Sequence, residues 1–263
     1  MSKTCKVLLA MLGLAVLKRP VDVLLAVMLP DVSVNPAVNC LTGALVSILL
    51  LGIPAWLLRP WTSLRLPQTK SIWQGMLLGA AMALLTRVAL SPVDAAWRGW
   101  LRLTPNALPV PENLPVAVAY IMALAVIPAI TEEVFFRGAV LTGLLDGSRR
   151  ETAVLLTTAA FAFMHGSLVN IPSLLAVSLV LTLTMLHSGR ISVAIATHFF
   201  YNISALAWAG LPGWGSLLCG AGLIGMMAYV VLRQPKMAHP PMKKADGLIA
   251  AAALIVLAAL YFI

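Results

Sequence analysis

Residues 115–145 read PVAVAYIMALAVIPAITEEVFFRGAVLTGLL. The run is longer than the roughly 20 apolar residues a helix needs to cross a bilayer, yet it carries Glu132, Glu133 and Arg137. A charge near mid-bilayer costs about 2.5–3.5 kcal/mol on insertion scales, so two adjacent carboxylates there need a partner or a task. On a helix, Glu133 and Arg137 stand four apart in the favourable Glu-before-Arg order and can neutralise each other. Glu132 is turned away by about 100° and lacks this partner. The spacing therefore predicts scaffold for Glu133 with Arg137, and a free carboxylate, base or metal ligand, for Glu132. Pro128, one turn earlier, removes the hydrogen bond to the carbonyl of Leu124, which predicts a kink opening room beside Glu132. Alone, these charges fit a structural ion cluster between helices as well as a reactive site.

Outward from this run the chain stays apolar. Hydrophobic residues make up 61% and charged residues 10%, against about 25% charged in a soluble domain, which excludes water as the main solvent. Apolar segments at 7–30, 37–58, 72–92, 115–145, 152–168, 171–187, 191–209, 214–232 and 247–263 predict an all-α, polytopic transmembrane bundle of eight or nine spans. The first is interrupted by Lys18, Arg19, Pro20 and Asp22, so it reads as a broken span or an interfacial helix. It follows Lys3 and Lys6 without a clear small-residue cleavage site and is expected to remain a membrane segment. Gly75 and Gly79 form a small-xxx-small pair suited to close helix packing. Cys5, Cys40 and Cys219 show no paired spacing and read as small core residues.

The net charge of +9 comes from basic residues at the ends of apolar runs. No basic stripe interleaved with aromatics exists, so anionic lipid headgroups, and not nucleic acid, are the expected partners. With the N-terminus in the cytoplasm, twelve basic residues fall inside: Lys3, Lys6, Arg59, Arg65, Lys70, Arg149, Arg150, Arg190, Arg233, Lys236, Lys243 and Lys244. Only Arg98 and Arg102 fall outside, and Lys18, Arg19, Arg87 and Arg137 lie within spans. That asymmetry predicts the orientation, with the Pro-containing 233–246 loop cytoplasmic.

Of four histidines, His187 and His239 lie at a span end and in a loop and are expected to be solvated, whereas His165 and His198 are embedded. His198 and Asn202 share one helix face. Glu132 is fourteen residues from Asp146, His165 fourteen from Glu151, and His198 eight from Arg190. At about 1.5 Å per residue these are about 21, 21 and 12 Å from the cytoplasmic ends, so all three can meet in one layer.

Three short motifs on three spans now stand together: Glu132-Glu133 with Arg137, Phe161 with His165, and His198 with Asn202. In this order they resemble the E-E-x-x-x-R, F-x-x-x-H and H-x-x-x-N pattern of the CAAX protease and bacteriocin-processing (CPBP or Abi) intramembrane proteases, which include the Ras-converting CAAX endopeptidases. The resemblance covers residues 115–209; neither the 1–114 helices nor those of 210–263 carry a motif. It implies peptide-bond hydrolysis within the membrane, acting on a peptide or lipidated protein: prenylated C-termini, pheromones or bacteriocins, the last with self-immunity as a further role. It assigns water activation to Glu132 with His165, oxyanion stabilisation to His198 with Asn202, and the site's shape to Glu133, Arg137 and Phe161. A carboxylate shielded from water is a better base, which agrees with the free Glu132. The family is often named as metalloproteases, and Glu132, His165 and His198 would supply three zinc ligands. No H-E-x-x-H is present, and a glutamate and histidine mechanism needs no further residues, so the metal-free form is the expectation. Two other classes use buried Glu and His: a transporter or proton relay, against which no repeat symmetry is visible, and an idle partner-binding membrane protein. The short loops suggest a bacterial plasma membrane protein.

Overall fold

The computed structural model describes residues 3–28, 36–58, 71–105, 111–207, 213–234 and 242–259. Arg59, Arg65, Lys70, Lys236, His239 and the prolines of the 233–246 loop lie outside the described residues. Within them the chain is all-helical. Its helices are α1 (Lys3–Met28), α2 (Pro36–Ser47), α3 (Ile53–Leu58), α4 (Ile72–Leu101), α5 (Leu114–Ile121), α6 (Ile127–Glu133), α7 (Thr142–Leu145), α8 (Arg150–Met164), α9 (Ile171–Ser188), α10 (Ile191–Ala207), α11 (Gly213–Leu232) and α12 (Lys244–Ala259). Wide π-helical turns at Ile48–Gly52, Met122–Val126 and Val134–Leu141 join α2 to α3, α5 to α6 and α6 to α7 without a break.

Among the described residues five helices are long and apolar enough to cross a membrane: Val38–Leu58, Ile72–Leu101, Leu114–Leu145, Ile171–Ser188 and Gly215–Leu232. Shorter apolar helices run over Thr4–Leu14 and Ile191–Ala205. The remaining apolar segments fall on α8 and α12, of 15 and 16 residues. Hydropathy over 152–168 runs past the point where α8 stops, at Met164, because Gly166 takes a left-handed φ of +62° and turns the chain.

Local chemistry explains most boundaries. Ser71 caps α4, its side chain accepting from the Gln74 amide. Asn113 caps α5 through the Val116 amide at 3.0 Å, with proline in the first turn. Gly189, at φ +66°, ends α9. Two expectations change. The segment read as ending at residue 92 continues through Pro92 to Leu101; in a long helix the ring costs one amide bond, and neighbouring helices hold the rest. Asp94, expected at a span end, is thereby buried, and its carboxylate accepts from both the amide and the hydroxyl of Ser173, capping α9 from another helix. Pro128 is accommodated by the wide turn Met122–Val126 just before it, which absorbs the missing hydrogen bond.

Packing centres on the helix that carries the charges. Phe135, Phe136, Leu141 and Leu144 are fully buried with Phe161 and Leu181 in one core. A smaller cluster of Met82, Val180, Leu183, Leu223 and Val230 joins α4, α9 and α11. The glycine pair acts at close range: a methyl group on Gly75 would meet Val193 Cγ2 at 3.0 Å, and one on Gly79 would overlap Thr197 Oγ1. These glycines let α4 lie directly against α10, the helix of His198.

Candidate active site

Arg137 is the largest fully buried side chain of the described residues. Its Nη1 donates to Glu133 Oε1 at 2.9 Å, and its Nη2 donates to both the carbonyl and the hydroxyl of Ser178 on α9, each at 2.8 Å. The guanidinium also lies 4.7 Å from the centre of the Phe161 ring. A desolvated cation is tolerable with such a set of partners: one carboxylate, two neutral acceptors and a π face. Ser188 at the far end of α9 lies against Gly75. Ser178 is ten residues earlier, so the cluster lies about 15 Å along α9.

Glu133 has a second partner that its spacing did not reveal. Its Oε1 also accepts from His198 Nδ1 at 2.8 Å. The carboxylate thus joins α10 to its own helix, and its role is wider than pairing with Arg137. His165, the first residue past α8, has its Nδ1 2.8 Å from the carbonyl oxygen of Phe161 one turn earlier. A carbonyl only accepts, so Nδ1 carries the proton and Nε2 of the neutral ring presents a lone pair. This gives the F-x-x-x-H spacing a physical meaning. The Phe161 backbone fixes the His165 tautomer, and its ring packs 4.7 Å from His165 and 5.7 Å from His198. His165 is less embedded than expected, because the helix ends there; its side chain is 31% exposed.

Both histidines turn Nε2 toward Glu132. Glu132 Oε2 lies 3.7 Å from His165 Nε2 and 3.9 Å from His198 Nε2. These distances exceed a hydrogen bond. Glu132 Oε2 is buried and has no hydrogen-bond partner in the protein. Three helices therefore deliver one carboxylate oxygen and two imidazole nitrogens to a common point, each with unspent hydrogen-bonding capacity. Asn202 follows His198 by one turn on α10 and is half-buried.

The same three atoms are the zinc ligands suggested by the sequence. Ligand atoms about 2.0–2.1 Å from a tetrahedral zinc lie about 3.3 Å from one another, closer than the pairs here. Among the described residues no group of three or more His, Cys, Asp or Glu side chains is arranged to hold a metal ion. As placed, the residues do not fit a preassembled zinc centre.

Residues 114–204, from the start of α5 almost to the end of α10, match a family model described as type II CAAX prenyl endopeptidase Rce1-like. The match supports a place in the CAAX protease family for this segment of the chain. No curated protein and no solved structure matches it. The matched segment contains all seven motif residues. It stops short of α4, whose Arg87 donates to the Tyr201 carbonyl and the Ser204 hydroxyl on α10 at 3.2 and 3.4 Å. Arg87 and Ser178 were not singled out from sequence. A basic residue in mid-span was a usable signal for Arg87; a serine in an apolar helix is too common to mark Ser178.

Proposed function

We propose that this protein is a CAAX-type intramembrane endopeptidase that hydrolyses a peptide bond of a lipidated or membrane-associated substrate with a water held by Glu132 and His165. The observation that carries the reading is Glu132 Oε2, buried, unbonded and facing two imidazole Nε2 atoms across gaps that a bridging water suits. Glu132 accepts a proton as the water attacks the carbonyl carbon. The lone pair of His165 Nε2 accepts the water's other hydrogen and fixes its direction. His198 and Asn202 donate to the carbonyl oxygen as it becomes an oxyanion. For that role His198 Nε2 needs a proton, and since Nδ1–H already faces Glu133, the ring carries both. The buried charges of Glu132, Glu133, Arg137 and His198 then sum to zero, which favours this assignment in a low-dielectric setting. Glu132 returns its proton to the leaving amine.

Membrane lipids and a prenylated peptide tail are the partners this reading implies, with cleavage of a prenylated C-terminus favoured by the family match over pheromone or bacteriocin processing. The test is cleavage of a farnesylated CAAX peptide by purified protein in proteoliposomes, with proton flux recorded in parallel. Cleavage without flux supports the reading; flux without cleavage favours a proton relay, and neither activity favours a partner-binding role.

Three expectations follow for the site and its setting. Asn202→Ala should lower kcat about 10²–10³-fold with little change in KM, because it removes a contact made in the transition state. Cleavage should also survive exhaustive chelation, with no stoichiometric metal in the purified protein; one zinc per chain, lost together with activity, overturns the metal-free mechanism. The charge asymmetry supports an orientation with the N-terminus and the 233–246 loop in the cytoplasm, and the short loops favour a bacterial plasma membrane. A cysteine at Gln234 should therefore resist an impermeant maleimide applied to intact cells, and ready labelling reverses the orientation.

A further inference from the structure

We infer that Arg87, on a helix outside the matched segment, is a positioning residue that sets the aim of His198 and Asn202; this rests on the protease reading above. A cation in mid-span is costly unless it is neutralised or used. Among the described residues Arg87 makes no direct ion pair, and Asp94, two turns on along α4, feels its charge only at longer range. The partners of Arg87 are instead the Tyr201 carbonyl, the Ser204 hydroxyl and the Tyr201 ring, over which its guanidinium carbon sits 4.0 Å from the centre. All three belong to α10, and Tyr201 and Ser204 bracket Asn202. The Ser204 hydroxyl in turn donates to the Tyr201 carbonyl at 2.7 Å, so Arg87 closes a small network on one side of that helix.

The other contacts of α4 show what this network does. Gly75 seats Val193 and Gly79 seats Thr197, the residue before His198. Glycine contacts allow close approach but carry no direction, and an apolar seam leaves a helix free to rotate by small angles. Arg87 adds directional donors one to two turns beyond His198 and fixes that rotation. His198 and Asn202 lie on the adjoining face of the same helix, so their donors are aimed as α10 is turned. On the site side His198 is held by the bond to Glu133 and the edge of the Phe161 ring, and Asn202 follows the turn of the helix. Further along, α4 also holds the segment after His165: Trp97 Nε1 donates to the Leu168 carbonyl at 2.7 Å and Asp94 caps α9. One helix without a motif residue thus braces both histidine-bearing segments.

The test uses the full-length protein in proteoliposomes with the farnesylated CAAX peptide. Arg87→Gln is expected to lower kcat about 10- to 100-fold, the scale of an ångström-level misplacement, with KM within about twofold and the melting temperature near wild type. Arg87→Lys, which keeps the charge but not the fork, should fall between. Ser204→Ala, a milder change to the same network, should lower kcat less and serves where Arg87→Gln folds poorly. A readout independent of turnover is the ¹⁵N signal of the His198 ring, which should move in Arg87→Gln while that of His165 stays. Unchanged kcat and unchanged His198 signals overturn the inference, as does a rise in KM alone, which would make Arg87 a substrate contact. If wild-type protein cleaves nothing, the protease reading fails, and the ring signals still decide whether Arg87 positions His198.

Discussion

Glu132→Gln is expected to reduce peptide cleavage by about 10²–10⁴-fold, the usual contribution of a positioned general base, and to leave the protein folded. The two halves of this expectation come from one observation. Glu132 Oε2 has no hydrogen-bond partner in the protein, so removing its charge breaks no bond, although it leaves Glu133, Arg137 and the doubly protonated His198 with one unbalanced positive charge. An amide nitrogen in its place would face His165 Nε2, 3.7 Å from the present oxygen, and that atom is an acceptor because Nδ1 donates to Phe161. That contact offsets part of the charge imbalance, so the variant should stay folded, while the group that takes the water's proton is gone. Buried polar atoms are rarely left unsatisfied, and retaining one against two histidines is costly for folding alone. Cleavage rates and thermal melting of the purified variant decide the matter. Near-normal turnover removes Glu132 from the role of base. A large loss of stability makes it a structural residue.

How far the site could be read in advance follows from which properties are local. Glu132, His165 and His198 stand out because ionisable residues inside apolar runs are expensive, and residue counts from the span ends gave them compatible depths. The bond between Glu133 and Arg137 is a four-residue spacing, visible in any helical reading. The contact between Glu133 and His198 joins residues 65 apart; it depends on how α6 and α10 are turned toward each other, which no spacing encodes. The same holds for Arg137 with Ser178 and Arg87 with Tyr201, 41 and 114 residues apart. Helix ends failed for a different reason. Pro92 and Asp94 look like a stop, yet α4 runs on because Asp94 finds Ser173 on α9. Conversely, apolar residues continue beyond Met164 although the helix ends there at the His165 turn. Hydropathy reports the surroundings of a segment and is nearly silent about its backbone.

Glu133→Gln should behave in the opposite way to its neighbour, with a loss of stability as its first effect. Glu133 and Arg137 have fully buried side chains, and Glu133 Oε1 accepts from both Arg137 and His198. An amide oxygen can still accept, but the negative charge that balances a desolvated guanidinium is lost. Breaking a buried pair from one side costs about 3–5 kcal/mol, because the other charge stays behind, and this is a large part of a typical folding free energy of about 5–15 kcal/mol. Expression and melting temperature should fall clearly. Whatever folds should also cleave slowly, since His198 loses the negative charge that favours its doubly protonated ring and so the protonation state that the oxyanion requires. The double variant Glu133→Gln with Arg137→Met separates these effects. Removing the stranded cation should restore much of the stability, because an apolar replacement for a buried pair is often neutral or better, but it does nothing for His198 and turnover should stay low. A single Glu133→Gln protein as stable as wild type would show that Arg137 is neutralised by Ser178 and Phe161 alone. A double variant that regains full activity would show that His198 takes neither its orientation nor its charge from Glu133.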